Sequence, residues 1–148
     1  MLAIREIVET DIPELTKIRV SVRENSMSRE EMAASNITPE TTAEKLRTYC
    51  KGWIAEYEGQ AVGFSIADSK TNSIWALFLY EQYERRGIGK RLLGLANARL
   101  WEMGAEQIWL RTMPNTRADG FYNYLGWTRS DTNEYGEVRF TLDRPLDR

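Results

Sequence analysis

The residues best able to do chemistry gather in two short stretches. In the first, Gly87-Ile88-Gly89 is flanked by Arg85, Arg86, Lys90 and Arg91, and a helical pattern starts within the doublet. Glycines at such a junction let the backbone adopt positive φ and come close to a ligand. The unpaired amides of a first helical turn point outward, and the helix dipole adds positive potential. Together these features suit phosphate or pyrophosphate. The same pattern serves equally as a tight turn opening a basic, solvated helix. In the second stretch, Asn115 and Tyr122 offer an amide and a phenol. A phenol of pKa about 10 is protonated at neutral pH and can donate to a leaving group.

Two familiar phosphate patterns do not fit. The third glycine of a dinucleotide fingerprint would fall on Leu92, and no Gly-Lys-Ser/Thr closes a P-loop. The chain has no histidine and one cysteine, Cys50. A Cys/His zinc site and any Ser-His or Cys-His mechanism are therefore excluded, and no metal is expected. An internal disulfide is impossible, which fits a reducing compartment. Cys50 reads as a small buried hydrophobe near a helix end, beside Ala43 and Leu46. The net charge of −2 gives no long-range attraction for nucleic acid. No apolar run approaches the roughly 20 residues that span a bilayer, and the first residues turn charged at once. The expectation is a cytoplasmic protein without membrane or nucleic-acid partners.

The elements that must hold these residues follow from periodicity. At 148 residues and 42% hydrophobic content, one domain over residues 1–148 is expected. A strand is expected over residues 2–8. A helix follows, capped by Asp11, with Pro13 in its first turn and Glu14 completing a capping box. Its apolar face is Ile12, Leu15, Ile18 and Val22. Residues 25–37 read as polar and irregular, with a short helix from Ser28. A second helix starts at Thr38-Pro39-Glu40 and ends at Gly52. Residues 53–57 and 60–67 form a hairpin turning at Glu58-Gly59. Residues 74–79 form a central strand buried on both faces. The helix after the glycine doublet carries Leu92, Leu93, Ala96, Leu100 and Met103 and stops at Gly104. A strand over 107–112, a short helix bearing Phe121 and Tyr122, and a hairpin of residues 127–130 and 137–142 complete the chain. The order predicts an α/β (α+β) fold with a mostly antiparallel sheet in its first half.

The segment from Leu77 through Tyr80, Glu84, Arg85, Arg86, Gly87, Ile88, Gly89 and Lys90 resembles the acetyl-CoA motif of the GNAT N-acetyltransferase superfamily. That motif is Q/R-x-x-G-x-G/A, and Glu84 stands at its Q/R position. Asn115, Ala118, Phe121, Tyr122, Gly126 and Trp127 resemble the family's second element, N-x-x-A-x-x-F-Y-x-x-x-G-[FYW]. The resemblance implies a mixed, mostly antiparallel sheet flanked by helices, with acetyl-CoA as co-substrate. It also implies that backbone groups of Leu77, Phe78 and Leu79 meet the pantetheine arm, and that the Leu79 amide is the oxyanion donor. It places the pyrophosphate on residues 84–90, with Asn115, Phe121 and Tyr122 also on the cofactor side.

Tyr122 is then the general acid for the leaving thiolate, or a packing residue like Phe121. Asn115 bonds the pantetheine arm, caps a helix, or does both. The central strand carries no carboxylate, so the base is Glu24, a residue of the opposite wall such as Glu134 or Glu137, or ordered water. The resemblance implies a small amine as acceptor and a homodimer as an assembly its relatives often form. Acidic walls of Glu24, Asp131, Glu134 and Glu137 with Asn25, over a floor of Trp75, Phe78 and Tyr80, would favour a cationic acceptor. Acetylation of a peptide N-terminus or lysine, and a non-catalytic acetyl-CoA-binding module, are the alternatives.

Overall fold

A computed structural model describes residues 1–146. Its sheet grows from one hairpin. Glu58 and Gly59 both adopt positive φ, 53° and 80°, and turn β2 (Cys50–Tyr57) into β3 (Gln60–Asp68). Such turns match the right-handed twist of paired strands. β1 (Leu2–Glu6) pairs with β2, and β4 (Ser73–Leu79) pairs with β3, both antiparallel. β5 (Gln107–Thr112), β6 (Thr128–Thr132) and β7 (Val138–Asp143) complete a seven-stranded sheet in the order β1-β2-β3-β4-β5-β7-β6. Among the described residues only β4 and β5 run parallel.

Helices cover both faces. On one side α1 (Ile12–Ser21) and α3 (Pro39–Thr48) bury Ile12, Leu15, Ile18 and Ala43 against Ile54, Phe64, Ile66 and Ala76. On the other, α4 (Ile88–Glu102) and α5 (Arg117–Tyr124) bury Leu93, Ala96, Leu100 and Tyr122 against Ile108, Leu110 and Phe140. The short α2 (Arg29–Ala34) starts at a reciprocal cap. The Ser28 hydroxyl accepts the Glu31 amide at 3.1 Å, and the Glu31 carboxylate accepts the Ser28 amide at 2.8 Å. Among the described residues no helix is long and apolar enough to cross a membrane.

Several local expectations give way to other contacts or to different element ends. Asp11 does not cap α1. Its carboxylate accepts the Val8 amide at 2.7 Å and the Arg5 guanidinium at 2.8 and 2.9 Å, closing a 3₁₀ turn over Glu9–Asp11. Gly52 does not end a helix, because α3 stops at Thr48 and Gly52 lies inside β2. A Cβ there would stand 2.6 Å from the Ile7 side chain and 2.7 Å from the Ser65 carbonyl. Cys50 therefore opens a strand, where burial pushes its thiol up to about 12. Val22 lies beyond the end of α1, and Met103 is exposed beyond the end of α4.

Candidate active site

The strand β4 is buried at Ile74 and Ala76, whereas Leu77, Phe78 and Leu79 are only half-buried. The reason is its neighbour. β4 and β5 pair only at Ser73 and Trp109, and the strands part beyond that point. A cleft of about 900 Å³ opens between them, walled by β4, the glycine turn, α5 and the exit of α1.

Backbone alternation decides which β4 groups face this cleft. Opposed residues of an antiparallel pair alternate between exchanging backbone bonds and turning them outward. The Tyr80 amide donates to the Val62 carbonyl at 2.9 Å, so the next pair, Gly63 with Leu79, is a non-bonded one. The Ser65–Leu77 pair has the same phase. Leu77 and Leu79 thus turn their N–H and C=O groups from β3 toward the cleft. Phe78 exchanges its backbone bonds with Phe64, so it offers the cleft a ring and no backbone group. This corrects the expectation that all three backbones are free.

The glycine turn lies at one end of the cleft. Gly87 has φ 83° and stands just before α4, and no side chain caps that helix. The first intrahelical bond runs from the Arg91 amide to the Gly87 carbonyl at 3.2 Å, which leaves the amides of Ile88, Gly89 and Lys90 as free donors. Glu84, Arg85, Gly87, Gly89 and Lys90 line the cleft. The Ile88 side chain packs instead beside Ala55, Val62 and Leu92. Arg86 turns outward, its guanidinium 5.1 Å from the Tyr83 ring centre and 6.0 Å from that of Tyr57, and its side chain lines no part of the cleft.

The opposite wall is α5. Tyr122 is 5% exposed, and its ring centre lies 5.2, 5.5 and 5.6 Å from those of Phe121, Trp127 and Phe140. Burial raises the phenol's pKa above its ordinary value, so the hydroxyl stays protonated. It makes no hydrogen bond among the described residues, and Phe121 and Tyr122 both line the cleft. Asn115 lines it too, in left-handed conformation (φ 61°), but it does not cap α5. Thr116 does, its hydroxyl accepting the Asp119 amide at 3.2 Å. The Asn115 backbone is fixed from below by Asp119, whose carboxylate accepts its N–H at 2.8 Å and also meets Asn123 and Arg129.

Glu24 reaches the cleft from the exit of α1. Its Oε1 accepts the backbone N–H of Arg117, the first residue of α5, at 2.8 Å. The Arg117 side chain reaches Glu84 at 3.2 Å, and Glu81 is held by Arg23 at 3.6 Å. Glu84 therefore spends its charge on an arginine, and its side chain is no phosphate ligand. Of the carboxylates lining the cleft, Glu24 alone forms no side-chain ion pair among the described residues.

The family model described as the acetyltransferase (GNAT) family matches residues 14–127. The chain belongs to the GNAT acetyltransferase family. No curated protein matches the sequence. Solved structures share the fold at low identity. A PaiA N-acetyltransferase from Thermoplasma acidophilum, crystallised with coenzyme A, superposes with TM-score 0.80 at 18% identity, covering 97% of this chain and 99% of that one. A GNAT-family acetyltransferase from Staphylococcus aureus gives TM-score 0.80 at 18% identity, with 97% and 99% covered. A ribosomal-protein alanine N-acetyltransferase from Escherichia coli gives TM-score 0.74 at 17% identity, with 100% and 99% covered. The mixed, mostly antiparallel sheet flanked by helices is the GNAT fold.

This GNAT acetyltransferase has a second, smaller cavity of about 190 Å³ on the α1 face of the sheet. It meets the main cleft along β4, sharing Asn25, Trp75, Ala76, Phe78 and Arg111. Its aromatic floor is the expected one at Trp75 and Phe78, whereas Tyr80 packs into the core beside it. Its charge differs from the expected acidic wall. Glu137 lines the small cavity, but Asp131 and Glu134 line neither cavity and stand exposed on the closing hairpin. Two arginines, Arg19 and Arg111, line it instead. Sequence reasoning missed both. The available signal was alternation in β5, which puts Trp109 and Arg111 on the face opposite Ile108 and Leu110.

Among the described residues no group of His, Cys, Asp or Glu has the makings of a metal site.

Proposed function

We propose that this chain transfers the acetyl group of acetyl-CoA to the primary amine of a small acceptor by direct attack. One observation carries the reading: the outward backbone groups of Leu77 and Leu79 and the free amides of the α4 first turn open into the same cleft. That cleft is long enough to lie along both and ends at a hydroxyl without a protein partner, on Tyr122. The residues present fit the co-substrate. Free amides at Ile88, Gly89 and Lys90, with Arg85 and Lys90 beside them, suit its pyrophosphate. Leu77 backbone and the Asn115 side chain suit the amide-bearing arm, and Phe121 covers it.

Acetyl-CoA supplies an activated thioester carbonyl. The Leu79 N–H is the donor assigned to the oxygen that gains charge as the amine adds, and such a preorganised donor contributes about 3–4 kcal/mol in related chemistry. As the C–N bond forms and the C–S bond breaks, the amine loses a proton and the sulfur gains negative charge. Glu24 is assigned the amine proton: one oxygen is anchored at Arg117 and the other makes no protein hydrogen bond. Tyr122 is assigned the sulfur. Burial makes its phenol a weaker acid than an ordinary tyrosine, so it stabilises the thiolate chiefly as a hydrogen-bond donor.

The test is thiol release from acetyl-CoA with a panel of amines, amino acids and polyamines. Amine-dependent release with an N-acetyl product is expected. Tight CoA binding without release in the presence of any amine would make the chain a binding module.

A further inference from the structure

The small cavity on the α1 face is lined by two arginines whose donors are largely unspent. Arg111 makes no hydrogen bond or ion pair through its side chain among the described residues, and its Nη1 is buried. Buried donors are almost always paired, and a buried cation without a partner is more costly still. The guanidinium lies 5.9 Å from the Trp109 ring centre, which leaves its donor edge unspent. Arg19 lines the same cavity. It stacks 4.4 Å over the Phe78 ring, is half-buried, and among the described residues donates one bond, to the Asn25 carbonyl at 3.0 Å. Glu137 lines the same cavity and is already bonded to the Asn133 side chain at 3.1 Å, and the charge of Glu31, outside the lining, acts on Arg19. Neither acid forms an ion pair with either arginine.

We propose that the acceptor carries a carboxylate as well as its amine, and that Arg111 and Arg19 grip the carboxylate. Two cations in one small, partly dry cavity repel each other until an anion sits between them. A guanidinium fork matches the two oxygens of a carboxylate, which fixes orientation as well as position. Trp75 and Phe78 then form an apolar floor under the acceptor's body. The cavity meets the main cleft along β4, so a carboxylate held at Arg111 directs the amine toward the Leu79 end of that strand. A diamine, which the sequence favoured, would place its second cation against both arginines. The placement of the amine rests on the acetyl-transfer reading; the anion grip does not.

The test uses matched sets: an L-amino acid, its carboxamide and its decarboxylated amine, over a panel of side chains, with putrescine as the diamine. At least one amino acid should be acetylated with kcat/KM about tenfold or more above its carboxamide and amine, as expected for a hydrogen-bonded charge pair. Arg111→Gln and Arg19→Gln should each collapse that ratio, mainly through KM. Equal rates across a set, or preference for the amine or for putrescine, overturn the proposal. Calorimetry on the CoA-loaded protein separates the two readings. If no amine is turned over, tighter binding of the amino acid than of its carboxamide sustains the anion grip while the transfer reading fails. Equal binding overturns the grip. If Arg111→Gln does not fold, as judged by its thermal transition, Arg19→Gln and the wild-type ratios decide alone.

Discussion

Glu24 and Arg117 lie 93 residues apart and meet across the mouth of the cleft, the Glu24 carboxylate accepting the Arg117 amide at 2.8 Å. Through the Arg117 side chain the contact extends to Glu84 on the glycine turn. The exit of α1, the start of α5 and the turn before α4 are thereby tied around one space. A carboxylate at a helix N-terminus is electrostatically favoured. Here it also fixes a carboxylate at the edge of the cleft, the group proposed to take the amine proton.

Glu24→Gln separates those two roles. The amide oxygen can still accept the Arg117 N–H, so the strut survives, but the proton acceptor is gone. We expect kcat to fall by about 10²-fold, within the range of general base catalysis, with CoA affinity nearly unchanged. If kcat stays within twofold of the parent, Glu24 is a strut only, and Glu137→Gln becomes the next variant to assay.

Tyr122→Phe keeps the ring in its contacts with Trp127 and Phe140 and removes only the hydroxyl. A hydrogen bond to a charged group contributes about 1.5–3 kcal/mol, so kcat should fall by about 10- to 100-fold with little change in CoA affinity. Burial raises the phenol's pKa, so the donor form persists as pH rises and no Tyr122-dependent loss of rate is expected up to about pH 9. A Phe variant with parental kcat would leave Tyr122 as packing alone.

Gly89 is the cleaner of the two glycines for testing the pyrophosphate site. Gly87 has φ 83°, so any substitution there is strained in the backbone whatever it does to binding. A Cβ at Gly89 meets the tip of Leu79 at 3.2 Å, a flexible side chain that can give way, and touches the Phe121 ring at an ordinary 4.0 Å. Gly89→Val should therefore hold its fold by circular dichroism while its methyls crowd the free amides. Calorimetry should show CoA binding largely lost. A folded variant with parental affinity would move the pyrophosphate elsewhere.

What the sequence disclosed and what it concealed divide along contact range. The Glu58-Gly59 hairpin, the glycine doublet and the apolar stripe of α4 were legible because each is set by neighbours in the chain. Gly52 was read as a helix stop because glycine after a helix usually is one. Its actual constraint comes from Ile7 and Ser65, residues far away in sequence. Asp11 and Asn115 show a second limit, within short range: each reads as a cap, but nearby partners displace that role, Arg5 and the Val8 amide for the first, Thr116 and Asp119 for the second. The hairpin acids divide: Glu137 lines the small cavity, whereas Asp131 and Glu134 face solvent, because sequence places them near the cleft without aiming them. Alternation in β5 gives the face that Arg111 occupies, but the parting of β5 from β4 beyond Trp109 is a divergence no local pattern encodes.

Asp119, invisible as a site residue in the sequence, should control both stability and the cleft wall. Its carboxyl is held below the usual carboxylate range by Arg129 first, against the opposing effect of burial, and then by the Asn115 amide and Asn123. A lowered folded value means the unfolded chain takes up this proton first as pH falls. The contribution is thus fully present above the unfolded value of about 3.9 and is lost as pH falls through the lower folded value. Asp119→Asn keeps the size but loses the charge that Arg129 and the Asn115 amide meet. At pH 7 it should destabilise the protein by about 1–3 kcal/mol, the range for losing hydrogen bonds to a buried charged group. In denaturant titrations the gap between parent and variant should shrink steadily from pH 5 to pH 3. Because Asp119 holds the Asn115 backbone, CoA affinity should weaken as well, even at pH 7 where the variant is folded. A gap that stays constant with pH would show that the Asp119 charge does not supply the stabilisation, and that packing around α5 does.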